Sequence, residues 1–417
     1  MKNNKVVAGK AAGFSAARLM ATRSIVPGLI AAKLIAAGMI IVCPSMVWAD
    51  ARGIAMGGTG VASADNLEAP FYNPALTVTE HKSVGLLLPS FSLGVHDGDD
   101  LYDNVDNLMD ATERLDDDIN NVTLQNQWKA SLGALDNTQG VVDVGLGLVV
   151  AIPTEQVSLN FFTKADAVFI ATANIDGADL NLDFNDPACS DTVEDCMNST
   201  VQGLAGVVGD IGIAIARDFY LPTGEKEMRI SVGIAPKYQS ITAINYETKA
   251  AGFDEDDFDF GDDDADTSKL NLDAGVALHP NENVTLGLAV TNVFKHTLDT
   301  NIQQGRNDAF IVEAQYTTGI SYRTPLFTAA LDIDLNERQY FEGLNYGTQF
   351  TSIGAEFDAW RWAQLRLGYR HSMNDDSDDV ITAGLGFKPF GVLGLDVSGQ
   401  YGEDNRYALA AQLYFGF

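Results

Sequence analysis

Positive charge is scarce in this chain of 417 residues. Lys and Arg number 26 against 57 Asp and Glu, and six of the basic residues, Lys2, Lys5, Lys10, Arg18, Arg23 and Lys33, fall in the first 33 positions. Without residues 1–49 the remainder carries 20 basic residues and a net charge of -37. A surface so acidic excludes direct nucleic-acid binding, which draws its affinity from cations that displace phosphate counterions. There are three cysteines and five histidines. The histidines, His81, His96, His279, His296 and His371, are scattered over turns and loops. That leaves no set of soft ligands for a metal and no ordered nucleophile, base and orienter. His371-Ser372 near Asp375 is only local crowding. No catalytic residue, metal or cofactor is expected, and the chain is read as not an enzyme. Beyond the N-terminal region no apolar run is long enough for a membrane helix.

At the N-terminus the basic head is followed by an apolar stretch, Leu34 to Val42, and by Val47-Trp48-Ala49, which fits a signal-peptidase site. We therefore expect residues 1–49 to be an export signal and Asp50 to begin the mature chain. Cys43 is a poor lipoprotein cysteine, with Val42 before it and Pro44 after it. Export implies an oxidising compartment, so Cys189 and Cys196 are expected to pair across a short acidic loop.

What the sequence has in abundance is alternation. In 363–370, Ala363, Leu365, Leu367 and Tyr369 point one way, against Gln364, Arg366, Gly368 and Arg370. In 270–279, Leu270, Leu272, Ala274, Val276 and Leu278 oppose Asn271, Asp273, Gly275, Ala277 and His279. About fourteen such segments occur, at roughly 83–95, 140–151, 157–173, 207–219, 228–243, 269–279, 283–294, 312–323, 326–335, 350–358, 363–371, 380–388, 392–401 and 407–417. Connections after odd-numbered segments are mostly long and those after even-numbered segments mostly short. One apolar and one polar face, with long and short connections in turn, predicts an all-β fold: a transmembrane antiparallel β-barrel of about 14 strands. Its location would be the outer membrane of a Gram-negative bacterium, with both termini periplasmic and contacts to lipid and lipopolysaccharide.

Aromatics at the short turns, Phe219, Tyr220, Tyr322, Phe327, Phe357, Trp360, Trp362, Phe387, Phe390, Phe415 and Phe417, predict an interfacial belt. Leu101, Val105, Leu108, Thr112, Leu115 and Ile119 recur at spacings of three and four, which predicts an amphipathic helix over about 100–120. The acidic run 254–266 matches no EF-hand and reads as solvated loop. Inward positions include Asp143, Lys237, Asp273, Asp332, Asp334, Glu356, Asp358, Arg366, Arg370 and Asp396. Charges of both signs there predict a cross-bridged, wet lumen, either filled by these pairs or lined by them as a polar path.

Residues 51–76 contain Gly57-Gly58-Thr59-Gly60-Val61-Ala62 and Phe71-Tyr72-Asn73-Pro74-Ala75. The glycines allow tight bends, and Asn73-Pro74 marks a turn. This stretch resembles the start of the FadL-like long-chain fatty acid transporters. With the long acidic first loop and the chain length, it more narrowly resembles the TraF-type conjugal-transfer family. The resemblance implies an N-terminal hatch, 50–81, with Gly57, Gly58, Gly60, Asn73 and Pro74 as its motif residues, plugging a barrel formed by 82–417. It also implies a hatch-gated channel for small or amphipathic, including hydrophobic, solutes. The alternative is a structural or protein-binding component of a conjugal-transfer or secretion apparatus, with an envelope protein as partner. The transporters' lateral gate rests on a kink in the third strand; here Val157 to Ala173 contain neither Gly nor Pro, so no kink is expected.

Overall fold

The computed structural model describes residues 50–78, 84–154, 157–186, 189, 192–223, 226–252, 264–301, 308–344, 346–358, 362–374, 377–403 and 405–416. The expected export signal, 1–49, most of the acidic run 254–266, Trp360, Asp375 and Phe417 lie outside these residues.

Fourteen strands close into one antiparallel barrel. They are β1 (Gly85–His96), β2 (Gln139–Pro153), β3 (Ser158–Asn174), β4 (Thr200–Thr223), β5 (Lys226–Lys249), β6 (Asp264–His279), β7 (Val284–Thr291), β8 (Gln315–Arg323), β9 (Phe327–Asp334), β10 (Phe350–Asp358), β11 (Ala363–Ser372), β12 (Val380–Phe387), β13 (Leu393–Gly402) and β14 (Arg406–Gly416). Each pairs with its neighbours in sequence, and β14 closes onto β1. All fourteen expected segments are strands. The chief differences are β4 and β5, which run for 24 residues each, well past the expected 207–219 and 228–243. Their distal ends continue pairing beyond a membrane's thickness, where sequence alternation weakens because loops pack on both faces.

The alternation sorts as expected. Leu270, Leu367 and Leu409 are 74%, 55% and 68% exposed on the outside, while Asp273, Arg366 and Asp396 are 3%, 2% and 1% exposed within. An apolar exterior on a closed barrel is the surface a bilayer requires, because every backbone group is paired and no sheet edge faces lipid. Phe219, Tyr220, Tyr322, Phe327, Phe357, Trp362, Phe387 and Phe390 are exposed beside the short turns. Strand β3 pairs without interruption on both sides, from Ser158 to Asn174; the missing Gly and Pro correspond to a missing kink. The register instead shifts in β1, around Leu88-Pro89. Proline cannot donate to the ladder, so it sits at a bulge.

The long connections at the other end build a cap. Helix Leu101–Asp117 buries Leu101, Val105, Leu108, Thr112 and Leu115, the expected stripe. It packs on a second helix, Val122–Ala134, through Trp128 and Leu132, and Trp128 Nε1 donates to Thr112 Oγ1 at 2.9 Å. The second helix was not anticipated; its apolar periodicity is weak. Cys189 and Cys196 form the expected disulfide, with their Cα atoms 5.0 Å apart.

Candidate functional site

The lumen is filled from within the chain. Residues 50–78 enter it as a short helix, Ala51–Ala55, a tight turn, a second short helix, Ala69–Tyr72, and a 3-10 turn, Pro74–Thr77. Asp50 caps the first helix by accepting from the backbone N–H groups of Arg52 (2.9 Å) and Gly53 (2.8 Å). Gly57 and Gly58 then adopt φ of 71° and 85°, the left-handed region that disfavours side chains. Gly60 gives way to a ring: a Cβ there would lie 2.2 Å from Tyr72 Cδ1. Asn73 ties the two ends of the motif together. Its Nδ2 donates to the Val61 carbonyl (2.8 Å) and to Val276 on the wall (3.3 Å), and its Oδ1 accepts from Ala75 N (3.0 Å). Pro74 opens the 3-10 turn, where a missing N–H costs nothing. The three motif glycines, Asn73 and Pro74 thus shape one compact plug.

The plug is held to the wall by side-chain hydrogen bonds rather than strand pairing. Asp332 Oδ2 accepts from Gly60 N (2.7 Å) and Val61 N (2.8 Å). Thr382 Oγ1 accepts from Gly57 N (2.9 Å) and donates to the Ala55 carbonyl (3.0 Å). Ser321 Oγ donates to the Ala62 carbonyl (2.6 Å). Arg52 reaches Glu356 (3.0 Å) and Glu68 (3.5 Å), and Arg366 bridges Glu356 (2.7 Å) to Asp396 (2.7 Å). Gln412 completes the network, donating to Glu68 (3.1 Å) and Asp396 (2.9 Å). Burial and the nearby Asp50 push the Glu68 carboxyl well above its usual range.

A belt of wall glycines makes this close approach feasible. A Cβ at Gly233, Gly275, Gly287, Gly354, Gly368 or Gly384 would lie 1.9–2.4 Å from an atom of residues 55–74. Strand glycine is otherwise destabilising, so a glycine-rich sequence with 39 of them is explained where backbone meets backbone.

The expected wet lumen holds only in part. Asp332, Glu356, Arg366 and Asp396 are at the plug interface. Asp273 is elsewhere, in a buried cluster in which Lys237 Nζ lies 3.0 Å from it and 2.9 Å from Asp210. Asp334 sits above the plug, accepting from Thr317 Oγ1 (3.0 Å) and Phe350 N (3.1 Å), and Arg370 stands nearby over the Phe350 ring at 4.0 Å. These groups do not line an open polar path. Above them residues 308–314 and 335–344 of the connections after β7 and β9 turn inward, with Tyr346. Phe310, Val312, Tyr340, Phe341 and Tyr346 pack against Val168, Ile170, Leu204, Val208 and Ile241 of the inner wall. Phe310 sits in a notch left by Gly206, where a Cβ would be 2.0 Å from its ring. This apolar upper closure was missed, because its aromatics stand in loops whose inward course no local period reveals. Arg52 was missed too, although it is the one basic residue in 50–78. Among the described residues no group of three or more His, Cys, Asp or Glu side chains is placed to hold a metal.

Several solved structures align with nearly the whole chain at low identity. The toluene transporter TbuX of Ralstonia pickettii is 12% identical, with 88% of this chain and 96% of that chain covered and a TM-score of 0.48. The toluene transporter TodX of Pseudomonas putida is 13% identical over 90% and 99%, with a TM-score of 0.43. A FadL homologue of Pseudomonas aeruginosa is 10% identical over 90% and 98%, with a TM-score of 0.46. No curated protein sequence matches the chain. The family model described as F plasmid transfer operon, TraF, protein matches residues 70–334, from the second half of the plug through the end of β9. The chain belongs to that family.

Proposed function

We propose that this protein is an outer-membrane channel for small apolar or amphipathic solutes, gated by residues 50–78. One observation carries the reading. The plug is joined to a membrane-type barrel by hydrogen bonds and ion pairs around Asp332, Thr382, Ser321 and Arg52 and by apolar packing of Phe71 and Tyr72 on the wall, with no strand pairing, so it can leave without breaking a strand ladder. In this reading the short turns and both ends of the mature chain face the periplasm, the helical cap faces outward, and 1–49 is removed on export. The aromatic residues of the upper closure offer an apolar solute a surface that repacks around it.

The test is a reversible lock. Ser321 Oγ lies 2.6 Å from the Ala62 carbonyl, so plug and wall run side by side here, and a cysteine pair placed in this stretch with Cβ atoms about 4 Å apart should cross-link them. Solute uptake into proteoliposomes should fall on oxidation and return on reduction. Uptake indifferent to the lock would remove the gating role. The family description favours a second reading, a protein-binding component of a transfer or secretion apparatus. A stoichiometric envelope protein retained through mild-detergent purification, with no solute uptake, would select it.

A further inference from the structure

Directly above the plug lies a cavity of about 60 Å³ walled by Gly58, Asp143, Arg338, Phe350, Arg370 and Arg406. A smaller one, of about 30 Å³, shares Arg338, Phe350 and Arg370 and adds Asp334. Arg370 is the unusual group. Its guanidinium stands 4.0 Å from the Phe350 ring centroid, and Gly58 leaves room beneath it, an added Cβ lying 3.5 Å from Cζ. Its Nε is enclosed and has no hydrogen-bond partner. Arg406 approaches the same ring at 5.9 Å, and among the described residues its side chain donates to the Asp378 carbonyl, at 3.5 Å.

A buried cation without acceptors is costly, and a guanidinium carries five N–H donors around its edge. Ring stacking occupies the face and leaves that edge unsatisfied. Asp334 is already engaged by Thr317 and the Phe350 amide. Asp143, whose Oδ2 has no hydrogen-bond partner among the described residues, shares the cavity with Arg370 and Arg406.

We propose that this cavity is a binding site for a compact oxyanion, a carboxylate, sulfate or phosphate group, taken edge-on by Arg370 with Arg406 assisting. Such groups match the fork of a guanidinium. The volume accommodates a few heavy atoms, about four waters' worth. An acyl tail does not fit, so a larger ligand places only its head here and its remainder against Tyr340 and Tyr346. The site stands whether or not solutes cross the barrel.

Sulfate is the probe, titrated calorimetrically into the full barrel in neutral detergent at ionic strength fixed with chloride. The expected result is saturable binding of one sulfate per chain. Arg370→Gln should weaken it at least tenfold and Arg406→Gln at least threefold, while Lys269→Gln at an exposed site leaves it unchanged. Heat-dependent gel mobility reports that each barrel is folded, and R406Q serves alone if R370Q does not fold. Acetate and octanoate then separate the two sources of the same chemistry. Equal affinities assign a free anion, and octanoate binding at least tenfold tighter assigns the head of an amphiphile. Absence of saturable sulfate binding, or wild-type affinity in both arginine variants, overturns the proposal.

Discussion

Asp332→Ala should release the plug. One carboxylate oxygen of Asp332 accepts two plug N–H groups, Gly60 at 2.7 Å and Val61 at 2.8 Å, and all three residues are buried. Removing it leaves two enclosed donors unpaired, at a cost of roughly 1–3 kcal/mol each. Part of that is returned, because Asp332 is itself a buried carboxylate whose Oδ1 has no partner. A net loss of about 2–4 kcal/mol in plug docking follows, or roughly a 30- to 700-fold rise in the undocked population. Hydrogen–deuterium exchange of the peptide covering 53–64 reads that population directly, since exchange of docked amides scales with opening. Strand amides in β4 and β5 should exchange as in the wild type, which separates plug release from barrel destabilisation. Asp332→Asn keeps an acceptor oxygen and should fall between the two. If D332A exchanges in 53–64 within threefold of wild type, plug docking does not depend on Asp332 and the reasoning fails.

Gly275→Ala places a methyl 1.9 Å from Asn73 Oδ1, so it should displace the Asn73 turn and raise ion conductance in planar bilayers while heat-dependent gel mobility stays normal. Phe310→Ala empties the Gly206 notch and should cost about 3–5 kcal/mol of upper-closure packing, seen as faster exchange in 308–314 with the plug unaffected. Cys189→Ser with Cys196→Ser opens a loop of sequence separation 7; about 2–3 kcal/mol of local order is lost, seen as protease cleavage in 175–199 without a change in barrel melting. The Glu68 carboxyl is raised by burial and by Asp50, so the docked plug prefers it protonated. That contribution is full below the ordinary glutamate value and is lost as pH rises through the raised one. Exchange of 53–64 should therefore quicken with rising pH beyond the intrinsic rate, and Glu68→Gln should flatten the extra dependence.

The barrel was legible because a bilayer imposes a strict rule on every strand. Leu365, Leu367 and Tyr369 must face lipid while Gln364, Arg366 and Arg370 face inward, so a period of two survives in the sequence. The plug was legible for a different reason: Gly57, Gly58 and Asn73 hold backbone conformations and turn contacts that few residues allow. Its attachment was not legible. Asp332 and Gly60 are 272 positions apart, and nothing local to either announces the other. The wall glycines were visible as a count but not as a belt, because their common feature is a neighbour contributed by 55–74. The inward charges face the lumen, where their partners among the described residues are plug atoms and one another, the filled-lumen alternative of the two that the sequence left open. Phe310 lies in a three-residue strand, Phe310–Val312, paired with His296–Leu298 and bridged to Phe341, and so short a pairing shows no period that tells inward from outward.

Two closures therefore stand in series, and their chemistry differs. The lower one is mixed: Phe71 and Tyr72 pack on the wall, and the rest is held by directional hydrogen bonds whose donors and acceptors can be exchanged for water at modest net cost. The upper one is apolar, and opening it to water exposes aromatic surface at about 25 cal/mol per Å². An apolar solute removes that penalty by replacing Phe310 and Tyr340 as the wall's partner, whereas a hydrated ion does not. A barrel with only the lower closure would admit any small polar solute once the plug moved; one with only the upper closure would admit apolar solutes at all times. In the proposed channel the two together would pass a solute only when an apolar body had entered from above and the plug had left below. Arg370 lies between the two, touching the ring of Phe350 on one side and the space over Gly58 on the other. It is the group through which an anion held in the cavity would act on both closures.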